Sequence, residues 1–169
     1  MRLVIKTVKM SWGLNPDKYM RVRIITRVVT YDSESRKILL VKNRGQDFWY
    51  PPGGGWDHEK ESIVECAIRE VYEETGLKVK VLRLLYLQEF HENTDQISFE
   101  TVWLAKSTGG ADLNELHVDH DVDGKVEKAR WFSKEELNDI TVFPKRLQKT
   151  FWENIDKFLQ EEDPFIGVS

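Results

Sequence analysis

Cysteine, proline and long apolar runs are all scarce in this chain. Its 169 residues include a single cysteine, Cys66, which excludes an internal disulfide. The longest apolar runs, such as residues 38–41, are far shorter than the ~20 residues that a membrane-spanning helix needs. No apolar stretch with a small-residue cleavage site opens the sequence, so we expect neither a secretory signal nor a membrane span. A reducing cytoplasm is the expected location.

The composition is typical of a folded protein. Hydrophobic residues make up 40% and charged residues 32% of the chain, which excludes the low hydrophobicity of disordered segments. A chain of this length suits one domain with a substantial core. We therefore predict a single domain over residues 1–169, without repeats or linkers.

Negative charge is concentrated in two segments. The formal net charge is −4, but residues 55–77 carry seven acidic side chains against two basic ones, and residues 112–127 carry six against one. The rest of the chain is therefore net positive. Such clusters indicate either two solvated acidic surfaces or a site that holds cations, and the spacing of the acids has to decide between these interpretations.

Strand-like segments alternate irregularly with helical ones. Alternating or β-branched residues predict strands at 3–8, 21–31, 37–41, 79–88, 96–105 and 129–132. The strands at 21–31 and 37–41 should form a hairpin. A short helix is expected after Ser133 and an amphipathic C-terminal helix after Pro144. Because no regular βαβ rhythm is present, we predict an α/β fold with a mixed sheet covered by helices.

One helix is delimited by strong local signals. Ser62 and Glu65 match a capping box at its start, and Gly76 followed by Leu77 matches a glycine C-cap, so the helix should end near Thr75. Apolar residues at spacings of three and four predict one buried stripe, made of Ile63, Val64, Ala67, Ile68 and Val71. The other side of the helix is left for charged residues.

Three glutamates of this helix share one face. Glu70, Glu73 and Glu74 stand at i, i+3 and i+4, where like charges destabilise a helix by roughly 0.2–0.5 kcal/mol per pair. A divalent cation held between them would offset that repulsion. Carboxylate oxygens suit magnesium, or alternatively manganese. The simpler interpretation is three solvated glutamates on an exposed face.

The residues around these glutamates match a longer pattern. Gly55 is followed after five residues by Glu61, and after seven more by residues 69–77, which read Arg-Glu-Val-Tyr-Glu-Glu-Thr-Gly-Leu. This segment resembles the Nudix box of the Nudix hydrolase family at every fixed position. A Pro-Gly-Gly motif preceded by aromatic residues, and the segment 131–137, extend the resemblance.

The resemblance implies a fold and a reaction. The fold would be a Nudix-type α/β/α sandwich, and the reaction would be metal-dependent hydrolysis of a nucleoside diphosphate linked to another moiety, X. Glu70, Glu73 and Glu74 would bind the metal, and Glu70 would also orient or deprotonate the attacking water. A backbone carbonyl of Gly54 or Gly55 would complete the metal shell, and the sequence does not choose between them.

Residues outside the metal set receive roles by the same resemblance. Arg69 would hold Glu61 bidentately and fix the loop against the helix. A further acid, acting as metal ligand or general base, is expected from the second acidic segment. Glu127 is the first choice and the acids of residues 119–123 are the alternatives, while a flexible acidic surface loop is the simpler interpretation. The histidines of this segment, His117 and His120, lack the paired second motif of a zinc site.

For the other candidate site residues, only their position in the sequence suggests a role. Arg44, at the end of the strand before the glycine loop, would meet substrate phosphate or lie on the surface. Trp56 would stack on a base, as would Trp12 or Phe90, although each is also explained as a core residue. Cys66 is interpreted as a packed small residue and not as a nucleophile.

The leading hypothesis is an enzyme that acts on a small nucleotide substrate. Nucleoside triphosphates, nucleotide sugars and dinucleoside polyphosphates are the substrate classes considered. One alternative is a non-catalytic module that senses a nucleotide. Another is an RNA 5′-pyrophosphohydrolase, but no dense basic cluster indicates a nucleic-acid surface. A homodimer is left open.

Overall fold

The structure is a computed structural model that describes residues 21–93, 96–110, 116, 124–165 and 167. The predicted strand at 3–8, Trp12, the side chain of Phe90, the two histidines of the second acidic segment and the acids of residues 119–123 lie outside the described residues. The strands are β1 (Arg21–Asp32), β2 (Lys37–Asn43), β3 (Leu77–Asn93), β4 (Gln96–Gly110) and β5 (Val126–Ser133). The helices are α1 (Ile63–Thr75), α2 (Thr150–Gln160) and two short 3-10 helices, Glu136–Asp139 and Lys145–Gln148.

The five strands form one mixed sheet in the order β3-β4-β1-β2-β5. β1 and β4 are parallel and the other neighbours are antiparallel, which confirms the predicted mixed sheet. β1 and β2 form the predicted hairpin, with Tyr31 opposite Ile38. β3 and β4 are longer than predicted because they pair with each other from Leu77 opposite Gly110 to Asn93 opposite Gln96.

The two faces of the sheet carry different helices. Alternate strand residues point to opposite faces, so Val28 packs in one core with Ala67 and Val71 of α1, while its neighbour Val29 packs in the other core with Phe151 of α2. The sheet therefore lies between α1 and α2, which is the predicted α/β/α sandwich. Among the described residues, neither helix has the length and apolar character needed to cross a membrane.

The ends of α1 follow the local sequence signals. The Ser62 hydroxyl accepts a hydrogen bond from the Glu65 N–H at 3.2 Å, and the Glu65 carboxylate accepts one from the Ser62 N–H at 2.8 Å. Gly76 ends the helix with φ 69°, and its N–H donates to the Tyr72 carbonyl. The predicted capping box and glycine C-cap are both present.

The buried stripe of α1 differs from the predicted one at Ile68. This side chain is 37% exposed, whereas Cys66 is fully buried. Ala67 and Val71 contact the sheet, and Cys66 turns towards the glycine loop, where its thiol lies 3.7 Å from the Gly55 carbonyl. Helical spacing does not show that a loop, in addition to the sheet, covers one side of this helix.

The C-terminal helix is interrupted where a continuous helix was predicted. The 3-10 helix Lys145–Gln148 precedes α2, and Lys149 has the non-helical backbone angles φ −136° and ψ −69°. The Leu147 carbonyl accepts the indole N–H of Trp152 at 2.7 Å. The short helix after Ser133 is likewise a single 3-10 turn, Glu136–Asp139.

The glycine loop continues the sheet along β1. The N–H groups of Thr26 and Val28 donate to the carbonyls of Gly54 and Pro52 at 2.9 Å, and the Trp56 N–H donates to the Ile24 carbonyl at 3.0 Å. This ladder fixes the loop between β1 and α1.

The Ser62→Ala variant tests whether the capping box stabilises α1. Loss of an N-cap hydroxyl is expected to lower the free energy of unfolding by about 1 kcal/mol, because an N–H of the first turn loses its acceptor. Denaturant unfolding measures the change, and Ser33→Ala, in an exposed turn, is the matched control. Equal stability of the two variants would contradict the capping role.

Candidate active site

Two of the three glutamates on the polar face of α1, Glu70 and Glu74, lie against the glycine loop. The Gly53 N–H donates to the Glu74 carboxylate at 2.8 Å. A Cβ on Gly54 would lie 2.5 Å from Oε1 of Glu70, so the Glu70 carboxylate occupies the space beside this glycine. The side chain of Glu70 is only 15% exposed, and that of Glu73 is 31% exposed. The helix and the loop therefore meet through carboxylate groups.

Arg69 joins these acids to Glu61. Its Nε and Nη2 lie 2.9 and 2.7 Å from the two oxygens of Glu61, which is a bidentate pair. Its Nη1 lies 2.9 Å from Glu70 and 2.8 Å from Glu73. One guanidinium thus contacts three carboxylates, and it ties the loop before α1 to the exposed face of the helix.

The pKa values of three neighbouring groups of the site, Glu70, Arg69 and Cys66, are all raised, for different reasons. Burial raises the pKa of Glu70, although the charge of Arg69 opposes this effect. Hydrogen bonds to Glu61 raise the pKa of Arg69, so the guanidinium stays charged. Burial raises the pKa of the Cys66 thiol to about 12, and a thiol that stays protonated is a poor nucleophile.

Arg27 of β1 holds the other side of the glycine loop. Its Nη1 donates to the Gly53 carbonyl at 2.6 Å, and its Nε donates to Glu100 at 3.0 Å. The guanidinium also lies 4.7 Å from the centroid of the Tyr50 ring. Gly53 is therefore held at both its N–H and its carbonyl, by side chains from α1 and β1.

These elements enclose a cleft of about 430 Å³. Three cationic residues from outside α1, Arg23, Arg27 and Lys125, line it together with the three glutamates and Arg69. Its lining residues are Arg23, Ile25, Arg27, Asn43, Tyr50, Gly53, Gly54, Gly55, Arg69, Glu70, Glu73, Glu74 and Lys125. A cleft that combines carboxylates with several cations suits a polyanion bound together with a metal ion.

Most residues of the predicted metal and loop sets line this cleft. Glu70, Glu73, Glu74 and both candidate carbonyl donors, Gly54 and Gly55, are among the lining residues. The close approach to Glu70 distinguishes Gly54, since a Cβ on Gly55 would instead face the guanidinium of Arg23 at 3.3 Å. Arg69 lines the cleft as well, and Glu61 supports it from behind through the bidentate pair.

Besides Glu61, three further predicted residues are not among those that line the cleft. The Trp56 indole donates to the Glu61 carbonyl at 2.7 Å and so braces the loop. Arg44 is exposed and its Nε donates to the Gly124 carbonyl at 3.2 Å. Glu127 is exposed at the β5 bulge, where its carboxylate lies 3.9 Å from the Lys128 ammonium group. Their predicted roles in binding or catalysis stay predictions.

Sequence reasoning missed the cations of β1. Arg23 and Arg27 stand four residues apart on the strand, so they share one face with Ile25 between them. Arginines at alternating positions on one face of β1, Arg21 together with these two, were the available signal. Tyr50 and Lys125 had no such signal, because they come to the cleft from separate loops.

The donor chemistry of the cleft fits a hard divalent cation, but its side chains are engaged with each other. Within the described residues, no three acidic, histidine or cysteine side chains stand in a metal-binding geometry. The reason is visible in the contacts, since Arg69 bridges Glu70 and Glu73, and Glu74 bonds to the loop N–H. These contacts would have to be exchanged for a metal ion.

Comparison with known proteins identifies the family. The NUDIX domain profile matches residues 21–160, which covers all of the elements of the sheet and both helices. The chain belongs to the Nudix hydrolase family. The loop and helix that form the cleft are therefore its Nudix box.

Individual Nudix relatives are similar over parts of their length. Human nucleoside diphosphate-linked moiety X motif 6 is 40% identical over 65 residues, which is 37% of this chain and 20% of that protein. Human diphosphoinositol polyphosphate phosphohydrolase NUDT4B is 42% identical over 65 residues, 38% of this chain and 34% of that protein. The matched segment thus spans only a minor part of these curated relatives.

Solved Nudix structures share the fold. A UDP-X diphosphatase superposes with a TM-score of 0.61 at 26% identity, over 84% of this chain and 64% of that one. A NUDIX hydrolase from Nitrosomonas europaea superposes with a TM-score of 0.67 at 18% identity, over 88% and 97% of the two chains. The second likeness concerns the fold alone.

Two glycines of the Nudix loop should respond differently to substitution. A Cβ on Gly53, which has φ 147°, would lie 2.0 Å from the Thr26 carbonyl oxygen, whereas a Cβ on Gly54 would meet only the movable carboxylate of Glu70. Gly53→Ala should therefore lower the free energy of unfolding by about 2 kcal/mol or more. Gly54→Ala should cost much less and displace Glu70.

Urea unfolding compares the two variants. Gly109→Ala is the matched control, because Gly109 also has a positive φ, 127°, but open space at its Cβ position. This control separates the destabilisation caused by the positive φ from that caused by overlap of the new Cβ with the Thr26 carbonyl. If Gly53→Ala were no more destabilising than Gly109→Ala, the close approach of the loop to β1 would be wrong.

Proposed function

We propose that this chain hydrolyses the phosphate anhydride of a nucleoside diphosphate linked to another moiety, X, with a divalent cation, magnesium or manganese. One observation carries the proposal. The glutamates of the Nudix helix face the cations of β1 and of residue 125 across a single cleft, beside the glycine loop. Bound phosphates would need the cationic side chains as direct partners, and the glutamates to hold the metal ion that neutralises them.

The metal-binding residues in this proposal are Glu70, Glu73 and Glu74 with a loop carbonyl. Both Gly54 and Gly55 stay candidates for that carbonyl, since Gly54 lies beside Glu70 but its carbonyl already accepts the Thr26 N–H at 2.9 Å. When bound, the ion supplies charge that neutralises the phosphates and stabilises the transition state. Glu127 and the acids of residues 119–123 remain the candidates for a further ligand or general base.

The protein's own residues would bind and orient the substrate. Arg23, Arg27 and Lys125 line the cleft opposite the glutamates, so they are placed to contact phosphate oxygens. Glu70 would orient or deprotonate the attacking water. Its side chain is only 15% exposed, which limits the water that reaches it beside the loop.

Arg69 and Glu61 act as positioning residues in this scheme. Arg69 neutralises the acids that surround it, and Glu61 holds the guanidinium with two hydrogen bonds. Removing Glu61 would leave Arg69 free to compete for the metal-binding carboxylates. Catalysis by charges that are already in place depends on residues, such as Glu61, that fix their positions.

The names of the relatives suggest more than one class of X. One solved relative is named a UDP-X diphosphatase and one curated relative a diphosphoinositol polyphosphate phosphohydrolase. Nucleoside triphosphates, nucleotide sugars and dinucleoside polyphosphates remain candidate substrates. A nucleotide-sensing module without activity and an RNA 5′-pyrophosphohydrolase are the alternatives. The cytoplasmic location and the homodimer stay predictions.

Replacing the metal-binding glutamates tests the reaction. Glu70→Gln, Glu73→Gln and Glu74→Gln should each lower turnover by on the order of 10²-fold or more, because an amide is a poor ligand and a poor base. Glu65→Gln is the matched control on the same helix, since glutamine also serves in a capping box. It should keep full activity and stability.

The assay separates the products by anion-exchange chromatography and measures the nucleotides, phosphomonoesters, phosphate or pyrophosphate formed from nucleoside triphosphates, nucleotide sugars, dinucleoside polyphosphates, capped RNA and diphosphoinositol polyphosphates, each with magnesium and with manganese. Full activity of all three glutamine variants would contradict the metal assignment. Tight binding of a nucleotide without product over the whole panel would favour the sensing module. Activity only on capped RNA would favour the RNA alternative.

A further inference from the structure

Glu100 is a largely buried carboxylate that lies just outside the active-site cleft. It belongs to β4, where the parallel register places it opposite Ile25 of β1, on the same face of the sheet as Arg27. Only 14% of its side chain is exposed, and it is not among the residues that line the cleft. A charge in such a position is costly unless a partner of opposite sign compensates it.

Arg27 is the partner that compensates this charge. Its Nε donates to the Glu100 carboxylate at 3.0 Å, and its own side chain is 21% exposed. Within the part of the chain that the structure describes, neither residue forms an ion pair with any other group. Because both side chains are largely buried, solvent ions screen this pair less than a surface pair. Glu100 thus neutralises the guanidinium and fixes its position.

The same guanidinium lies next to the acids that the proposed function assigns to the metal. Its Nη1 donates to the Gly53 carbonyl at 2.6 Å, while the Gly53 N–H donates to the Glu74 carboxylate at 2.8 Å. One loop residue therefore separates Arg27 from Glu74. Arg27 also lines the cleft together with all three of these acids, Glu70, Glu73 and Glu74.

Without Glu100, the guanidinium of Arg27 would be drawn to these acids. Removing one partner of a buried ion pair leaves an uncompensated charge that is costly, and the cleft offers Arg27 three other carboxylates. Arg69 already contacts two of them. A second guanidinium in the same place would compete with a divalent cation for the same oxygens.

We propose that Glu100 is a positioning residue, which holds Arg27 on the glycine loop and so keeps its charge away from the metal-binding carboxylates. The inference rests on the proposed function, because it takes these carboxylates to hold a divalent cation. Glu100 contacts neither the ion nor the substrate in this scheme and acts only through Arg27. Residues that act on a metal site through another group commonly change metal affinity by roughly 10–100-fold.

A double-mutant cycle on Mn²⁺ binding tests the proposal without turnover. Isothermal titration of the substrate-free protein with manganese chloride measures the affinity. Glu100→Gln keeps the size of the side chain but removes its charge, and it should weaken Mn²⁺ binding roughly tenfold. Adding Arg27→Gln should restore most of that affinity, because the competing cation is then gone. A purely structural role of Glu100 predicts no such recovery.

Glu136→Gln is the matched control. Glu136 forms an ion pair with Arg130, and neither residue lines the cleft, so this variant removes the same charge from another arginine–glutamate pair. It should bind Mn²⁺ as tightly as the wild type. Thermal unfolding checks each variant. If Glu100→Gln does not fold, Glu100→Asp takes its place in the cycle, since its shorter side chain loses the 3.0 Å contact. Its loss of affinity should be smaller and equally recoverable.

Two results would overturn the proposal and leave the proposed function intact. One is Mn²⁺ binding by the folded Glu100 variant that is as tight as in the wild type. The other is a double variant that binds as weakly as the Glu100 variant alone. An intact cycle in a protein that hydrolyses no substrate would contradict the proposed function alone. A wild-type protein that binds no Mn²⁺ would contradict both.

Discussion

The close approach of the glycine loop to β1 is the constraint on which the site depends. Gly53 has no Cβ, so its backbone can lie against the Thr26 carbonyl, and the loop continues the sheet by hydrogen bonds. In that position its N–H reaches Glu74, and Gly54 leaves room for the Glu70 carboxylate. The loop thus joins the central strand β1 to a helix face, and neither element could form the cleft alone.

The site also depends on the balance of charge between Arg69 and the glutamates around it. Three glutamates on one helix face repel each other, and Arg69 offsets this by contacting two of them while Glu61 fixes its guanidinium. A charge that is partly buried is costly without its partner. The network therefore keeps the carboxylates beside the loop, and the cations of β1 face them across the cleft.

The residues of the cleft come from different parts of the chain. The glutamates and the loop come from one continuous segment of the chain, the Nudix box. The residues that complete the cleft come from elsewhere: Arg23 and Arg27 lie on β1, Tyr50 follows β2, and Lys125 directly precedes β5.

By itself the sequence determined the features that depend on near neighbours. The ends of α1, the common face of its glutamates, the hairpin and the mixed sheet follow from capping, periodicity and turn residues. Only the tertiary structure decided which distant segments meet. It brought Arg27 and Tyr50 to the cleft, exposed Ile68, and left Arg44, Trp56 and Glu127 outside the lining of the cleft. Strand register and loop packing control these contacts, and both arise from long-range pairing that no local pattern encodes.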